Sequence, residues 1–152
     1  MITAIHDTFT ADHQRCDRLL AATEACLAGD DWSAIGAAAT ALAEAMNRHF
    51  DLEEEVVFPA LAEVFLVAEQ PIEIMCGEHA QMRALLRDLG KAVAARDPDA
   101  CLGILETLHL VVQQHNYKEE GVIYPMADGA LRERATTMAT LLDGGRSKAD
   151  PP

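Results

Sequence analysis

The sequence predicts an all-α protein, an up-down four-helix bundle made from two repeated helical hairpins, with a short fifth helix allowed at the C-terminus. Three observations predict this fold. Half of the residues are apolar but only 5% are aromatic, and Ala and Leu dominate, a mixture that favours helices over strands. Four long segments each carry one apolar stripe at helical spacing. The second half of the chain also repeats the pattern of the first half.

Helix-breaking residues set the expected boundaries of the bundle. Glycine, aspartate and proline stand between the apolar stripes, and they favour turns. Pro59 and Pro125 stand where the second and fourth helices are expected to end or kink, because proline lacks a backbone N–H. The four long helices are predicted at about 4–28, 32–58, 71–96 and 98–125.

The domain prediction is one bundle over residues 1–142, followed by a disordered tail over 143–152. The tail is polar, begins near a pair of glycines and ends in two prolines, a composition typical of disorder. Short segments at about 60–68 and 127–142 follow the two prolines, and the second of them is the candidate for the fifth helix.

The charge and the cysteines restrict the partners and the location. A net charge of −13 repels nucleic-acid phosphates and anionic membrane surfaces, so neither is expected as a partner. No apolar run reaches the roughly 18 residues of a membrane span, and Met1 to Asp12 lacks the basic start of a secretory signal. The four cysteines form no CxxC pair, which indicates reduced thiols in a cytoplasmic protein. Nothing in the sequence points to a particular protein partner.

The internal repeat has an offset of 66 residues. Residues 49–59 read HFDLEEEVVFP and residues 115–125 read HNYKEEGVIYP. Two helical hairpins related by an approximate twofold axis would explain this repeat. The residues that it pairs are His13 with His79, His49 with His115, Glu53 with Glu119, and Pro59 with Pro125.

The repeated histidines and glutamates predict a metal site. A His and a Glu at positions i and i+4 share one helix face, and here that face is the apolar stripe, so both should point inward. Burying an unpaired carboxylate costs several kcal/mol, and no Lys or Arg lies on these stripes to compensate. Two metal cations would balance two carboxylates, and the mixed imidazole and carboxylate set suits iron, manganese or zinc. The predicted ligands are His13, His49, Glu53, His79, His115 and Glu119.

In the simplest arrangement each metal ion takes two histidines, and Glu53 and Glu119 bridge the pair, as in other di-metal helical bundles. The competing interpretation is a buried polar network that only fixes the register of the bundle. Glu54 and Glu120 are expected to be surface groups or outer partners of the ligands. At 3.6 residues per turn they lie about 140° round from the preceding histidine, against about 40° for i+4. His6 and His109 lack histidine mates and are expected outside the centre.

The combination of His13, His49-x3-Glu53, His79 and His115-x3-Glu119 resembles the hemerythrin-like, HHE cation-binding family over about residues 5–126. The resemblance implies a four-helix bundle with two iron ions in a non-haem, oxo-bridged di-iron centre. That centre would bind or react with a small ligand, namely dioxygen, peroxide or nitric oxide. A non-catalytic oxygen sensor, iron sensor or iron donor is the alternative.

One position departs from the oxygen-carrying hemerythrins, which have a further histidine four residues after that of the third helix. Here the position is Arg83, and the remaining four histidines and two glutamates are similar to the bacterial repair-of-iron-centres proteins. The oxygen carriers also place a carboxylate five residues after the fourth-helix histidine, which would select Glu120 rather than Glu119. Arg83 pairs with Asp17 in the repeat, and a salt bridge between them and a role in gating access both stay open. Either Tyr117 or Tyr124 could hydrogen-bond to a bound ligand.

Overall fold

The structure is a computed structural model that describes residues 4–131 and 135–144, and this part of the chain contains helices and no strand. The expected all-α bundle is therefore confirmed. In chain order the elements are α1 (Ile5–Cys26), α2 (Trp32–Leu52), a first π-helical turn (Glu53–Val57), α3 (Phe58–Val64), a 3-10 turn (Leu66–Ala68), α4 (Glu69–Ala94), α5 (Pro98–Lys118), a second π-helical turn (Glu119–Ile123), α6 (Tyr124–Ala130) and α7 (Ala135–Asp143).

The second helix of each hairpin begins with an aspartate N-cap. The Asp31 carboxylate accepts from the backbone N–H of Ala34 at 3.1 Å, and the Asp97 carboxylate accepts from that of Ala100 at 3.0 Å. Aspartate at this position satisfies an N–H group that the helix itself leaves unpaired. Since Asp31 and Asp97 also differ by 66 residues, the repeat extends to the helix ends.

The four long helices pack as two hairpins, α1 with α2 and α4 with α5, and the hairpins meet through α2 against α4 and α1 against α5. Their apolar side chains form two separate clusters. Along α1, Phe9 belongs to one cluster and Cys16 to the other, with His13 between them. Along α4, His79 divides Met75 from Met82 in the same way. A polar layer at the level of the histidines therefore separates two apolar layers.

The chain stays helical beyond Pro59 and Pro125, so the second and fourth helices do not end at these prolines. A π-helical turn instead interrupts the regular α-helix immediately before each of them. The Phe58 N–H donates to the Glu53 carbonyl, and the Tyr124 N–H donates to the Glu119 carbonyl. These bonds span five residues and widen the helix immediately before each proline. Each proline then lies in the first turn of the next α-helix, where a missing N–H is tolerated.

The fifth helix is confirmed as α7, which packs against α1 and α2. Met138 and Leu142 are buried in the apolar layer nearest the prolines. The Arg48 guanidinium donates to the Leu141 carbonyl at 2.7 Å. The predicted tail over 143–152 overlaps the last residue of α7 and lies, beyond residue 144, outside the described residues. Among the described helices, none combines the length and hydropathy needed to cross a membrane.

The two faces of α5 give a test of the packing. Leu108 is completely buried, whereas Leu110 on the same helix is 60% exposed. Leu108→Ala should lower the free energy of unfolding by about 2–5 kcal/mol, because it removes buried methyl groups and leaves a cavity. Leu110→Ala should change it by less than about 0.5 kcal/mol. Urea denaturation followed by circular dichroism measures both, and equal losses would contradict the packing described here.

Candidate metal centre

The polar layer contains the six residues that the sequence pattern selected. Their side chains are buried, and Glu53, His79 and Glu119 have no exposed surface. The structure brings them together as two groups of four, and in each group the candidate ligand atoms all lie within 4.8 Å of one another. Both groups share the two glutamates. One group is His13, His49, Glu53 and Glu119, and the other is Glu53, His79, His115 and Glu119.

Each shared glutamate contacts histidines of both hairpins. Glu53 Oε1 lies 2.8 Å from His49 Nε2 on its own helix and 3.7 Å from His79 Nε2 on the other hairpin. Glu119 Oε1 lies 2.9 Å from His115 Nε2 and 3.2 Å from His13 Nε2. The two carboxylates therefore stand between the hairpins, as the bridging arrangement requires.

A second set of four carboxylates surrounds the histidines. Glu54 and Glu120 take the outer role that the helical geometry indicated, while Asp12 and Glu78 were missed by the sequence analysis. Asp12 and Glu78 directly precede His13 and His79 at the same 66-residue offset, and this was the available signal. The outer contacts are His49 Nδ1 to Asp12 at 2.7 Å, His115 Nδ1 to Glu78 at 3.0 Å, His79 Nδ1 to Glu54 at 2.8 Å and His13 Nδ1 to Glu120 at 3.1 Å.

These outer contacts orient the imidazoles. An ionised carboxylate can only accept a hydrogen bond, so each Nδ1 carries the proton and donates it. The Nε2 atoms, which face the shared glutamates, are then available for a metal ion. Burial opposes ionisation of Asp12, but His49 and Arg15 together hold the pKa of its carboxyl below the ordinary value. The hydrogen bond from His13 likewise lowers the pKa of Glu120.

Three of the four outer carboxylates also bind a basic side chain. Arg15 Nε donates to Asp12 at 3.0 Å, and Lys118 donates to Glu78. Arg83 donates to Glu54 at 2.8 Å. These cations hold the carboxylates in position. Glu120 has no such cation among the described residues, and its side chain is 34% exposed.

The structure answers the question left open for Arg83. Its guanidinium binds Asp51 and Glu54, each at 2.8 Å, and lies over the ring of Phe50. Asp17 instead accepts from the Gln113 amide at 3.3 Å. The salt bridge between Asp17 and Arg83 is therefore not formed. Arg83 therefore reaches the centre indirectly, through Glu54 and through Phe50, which stacks on His79.

The centre has too little positive charge to keep both of its buried carboxylates ionised. Burial, together with the neighbouring Glu119, raises the pKa of Glu53 well above its ordinary value. Burial opposes charging of His13, yet the carboxylates of Glu119 and Glu120 raise its pKa. In the described structure, Glu53 Oε1 and Glu119 Oε2 also receive no hydrogen bond. The raised pKa values of Glu53 and His13 mean that both groups bind protons more readily than usual, and a metal cation at the same place would be stabilised for the same reason.

The two histidines of the second hairpin bring two ring nitrogens close together. His79 Nε2 and His115 Nε2 face each other at 3.1 Å. Burial and the neighbouring His115 lower the pKa of His79 to about 4, so His79 is neutral at pH 7. If both Nδ1 protons point to outer carboxylates, two nitrogen lone pairs meet at this distance. A cation bonded to both would remove that repulsion.

The sequence left Tyr117 and Tyr124 as alternatives near the centre, and only Tyr124 lies there. Tyr117 is 83% exposed, whereas Tyr124 is completely buried. The Tyr124 hydroxyl contacts four of the candidate ligand atoms, and burial and the nearby Glu119 raise its pKa well above the ordinary value. Its contacts are His13 Nε2 at 3.0 Å, His49 Nε2 at 3.2 Å, Glu119 Oε1 at 3.2 Å and Glu53 Oε2 at 3.3 Å.

Two cavities adjoin the first hairpin's histidines. An open groove of about 720 Å³ between α1 and α5 ends at His13 and Glu120. A much smaller cavity of about 10 Å³ lies beside His13 and His49, and Cys16 is among its lining residues. His6 and His109, as expected, belong to neither group of candidate ligands among the described residues.

A helical bundle that buries four histidines and two shared glutamates in one layer defines a class of metal-binding bundle proteins. A family model described as the hemerythrin HHE cation-binding domain matches residues 4–127. The chain therefore belongs to the hemerythrin family and is a cation-binding protein of hemerythrin type. Searches of curated proteins and of solved structures gave no match.

The outer carboxylates give a test of the centre. Glu78→Ala removes the acceptor at His115 Nδ1 and should weaken Zn²⁺ binding by about 10–100-fold, because the histidine loses its orientation and basicity. The matched control is Glu73→Ala, an exposed glutamate on the same helix, which should bind as the unaltered protein does. Isothermal titration calorimetry measures both affinities. Equal affinity in the two variants would show that Glu78 does not support a ligand.

Proposed function

We propose that this protein holds two iron ions with the six buried residues and uses them to bind or react with dioxygen, peroxide or nitric oxide. The observation that carries the proposal is the pair of four-residue groups that share Glu53 and Glu119. Each group offers two imidazole nitrogens and two carboxylates to one position. Two positions and two shared carboxylates suit a pair of bridged cations.

The contacts between acceptor atoms support cations rather than a polar network. A network that fixes register needs a hydrogen between each pair of polar atoms. Here His79 Nε2 meets His115 Nε2 at 3.1 Å, and Glu53 Oε1 lacks a hydrogen-bond donor. Metal ions bind neutral imidazole through its unprotonated nitrogen and bind ionised carboxylate, and would therefore satisfy all of these atoms together.

Iron is the proposed metal because imidazole and carboxylate together suit iron, although zinc and manganese compete for such ligands. Four protein donors on each ion leave coordination positions for an outside molecule. The bound pair would supply electrons to an oxidant. The protein's own residues hold the ions, keep the imidazoles oriented through the outer carboxylates, and exclude bulk water from a fully buried layer.

The surroundings of the centre favour a small ligand approaching from one side. The groove between α1 and α5 is lined by His13 and Glu120. A separate cavity beside His13 and His49, of about 10 Å³, is at the lower limit of the volume that one water-sized molecule needs. On the opposite hairpin the equivalent surface is covered by Arg83, which binds Glu54 and lies over Phe50. The net charge of −13 disfavours nucleic acids and anionic membranes, and the cysteine thiols suit the cytoplasm.

Iron content gives the first test of the proposal. Anaerobic loading with ferrous iron, followed by desalting and elemental analysis, should give two iron ions per chain. Glu53→Ala and Glu119→Ala should each lose at least one ion, because they remove a bridging ligand. Glu54→Ala and Glu120→Ala should keep both ions with weaker binding. Iron near zero in the unaltered protein, or equal loss in all four variants, would contradict the assignment.

Reaction with oxidants gives the second test. The ferrous-loaded protein should change its visible absorption when mixed with dioxygen, hydrogen peroxide or nitric oxide. Reversal on removal of the ligand indicates binding, and repeated turnover indicates an enzyme. Release of iron into solution would identify a donor instead, and no reaction with any of the three would leave a metal-binding protein without this chemistry. A zinc-loaded sample, which cannot change oxidation state, is the control.

A further inference from the structure

The hydroxyl of Tyr124 lies inside one half of the centre. Within 3.3 Å it contacts one ligand atom from each of the four residues of the first group. The side chain is fully buried, so no water competes for these contacts. A residue that only packed against the site would contact one or two of its atoms. The Tyr124 oxygen instead contacts a candidate metal-ligating atom from every residue of the first group.

Hydrogen bonding alone does not account for this arrangement. A phenol has one proton and can donate one hydrogen bond. When the imidazoles and carboxylates are in the deprotonated form that binds metal, all four neighbours of the hydroxyl are acceptors. Three of the four contacts then bring lone pairs together in a buried space. A cation among these atoms would bond to the phenol oxygen as well.

We propose that Tyr124 supplies a seventh ligand, its phenol oxygen, to the metal ion held by His13 and His49. This inference rests on the proposed metal centre. Binding exchanges the O–H bond of the phenol for a bond from oxygen to the metal ion, the proton passes to solvent, and no electron is transferred.

The seventh ligand makes the two ions inequivalent. The repeat mate of Tyr124 is Phe58, which is also buried and stacks against His79 with ring centroids 5.8 Å apart. The phenylalanine offers no donor atom to the second group. The ion held by His13 and His49 would therefore gain an oxygen ligand that the ion held by His79 and His115 lacks.

The chain contains only two tyrosines, which makes the test simple. A phenolate bound to ferric iron produces a charge-transfer band in the visible spectrum and enhanced tyrosine vibrations in the resonance Raman spectrum. The ferric-loaded protein should show both signals, and so should Tyr117→Phe, because Tyr117 is 83% exposed. Tyr124→Phe should lose both signals, while its iron content is measured on the same sample.

The repeat provides a variant that gains the signal. In Phe58→Tyr/Tyr124→Phe the phenol moves to the mate position beside His79, so the tyrosine signals should return after their loss in Tyr124→Phe. Circular dichroism of each metal-free variant checks folding. Should Tyr124→Phe fail to fold, Tyr117→Phe still decides the question, since Tyr124 is then the one tyrosine left.

The outcomes separate the two proposals. If the protein and Tyr117→Phe bind two ferric ions without any tyrosine signal, the metal centre stands and Tyr124 is not a ligand. Unchanged tyrosine signals in folded Tyr124→Phe would also overturn the inference. If no variant binds iron, the proposed function itself fails and this inference fails with it.

Discussion

The burial of Glu53 and Glu119 at one level of the bundle is the constraint on which the rest of the structure depends. Both carboxylates have no exposed surface, and removing such groups from water is costly unless charges and hydrogen bonds compensate. Four imidazoles face them, and four outer carboxylates orient those imidazoles. Basic side chains bind three of the outer carboxylates, whereas the inner pair faces imidazoles. The apolar layers above and below keep water out, which strengthens every electrostatic interaction between them.

Some residues around the centre are the same in both halves of the twofold repeat, and others differ. The ligands and the outer carboxylates obey the repeat, so both halves can hold an ion in similar ways. The differences include three pairs close to the ligands, namely Asp17 with Arg83, Phe50 with Asn116, and Phe58 with Tyr124. Arg83 and Phe50 cover one half, while Asn116 and Asp17 line the groove that reaches the other. Symmetric residues therefore supply the candidate ligands and their outer partners, whereas asymmetric residues line the approaches to the two halves.

The phase of each residue within its helix and the 66-residue repeat predicted which side chains meet at the centre, but not which further side chains of neighbouring helices contact them. Glu53 follows His49 by four residues. In the structure the α-helical hydrogen bond from the Glu53 N–H to the His49 carbonyl keeps the two side chains on the same helix face. Asp12 was missed because its partner His49 lies on another helix, and such a contact depends on how far each helix is rotated. The salt bridge between Arg83 and Asp17, which the sequence left open, is not formed for the same reason. The guanidinium binds Asp51 of α2 and Glu54 of the π-helical turn that follows it.

The π-helical turns explain why Tyr124 could not be placed from the sequence. In a regular α-helix a residue five positions after Glu119 would lie about 140° round from it, facing away from the centre. The bond from the Tyr124 N–H to the Glu119 carbonyl spans five residues and inserts one residue into the turn, which brings Tyr124 back to about 40°. The same turn places Phe58 above Glu53 in the other half. Each turn also precedes a proline, whose tolerance in the first turn of the next helix allows the chain to continue. The motif that ends in proline thus fixes both the path of the helix and the side chain that reaches the metal position. A change that restored regular α-helix at 119–123 would rotate the phenol out of the polar layer without altering any of the six ligands.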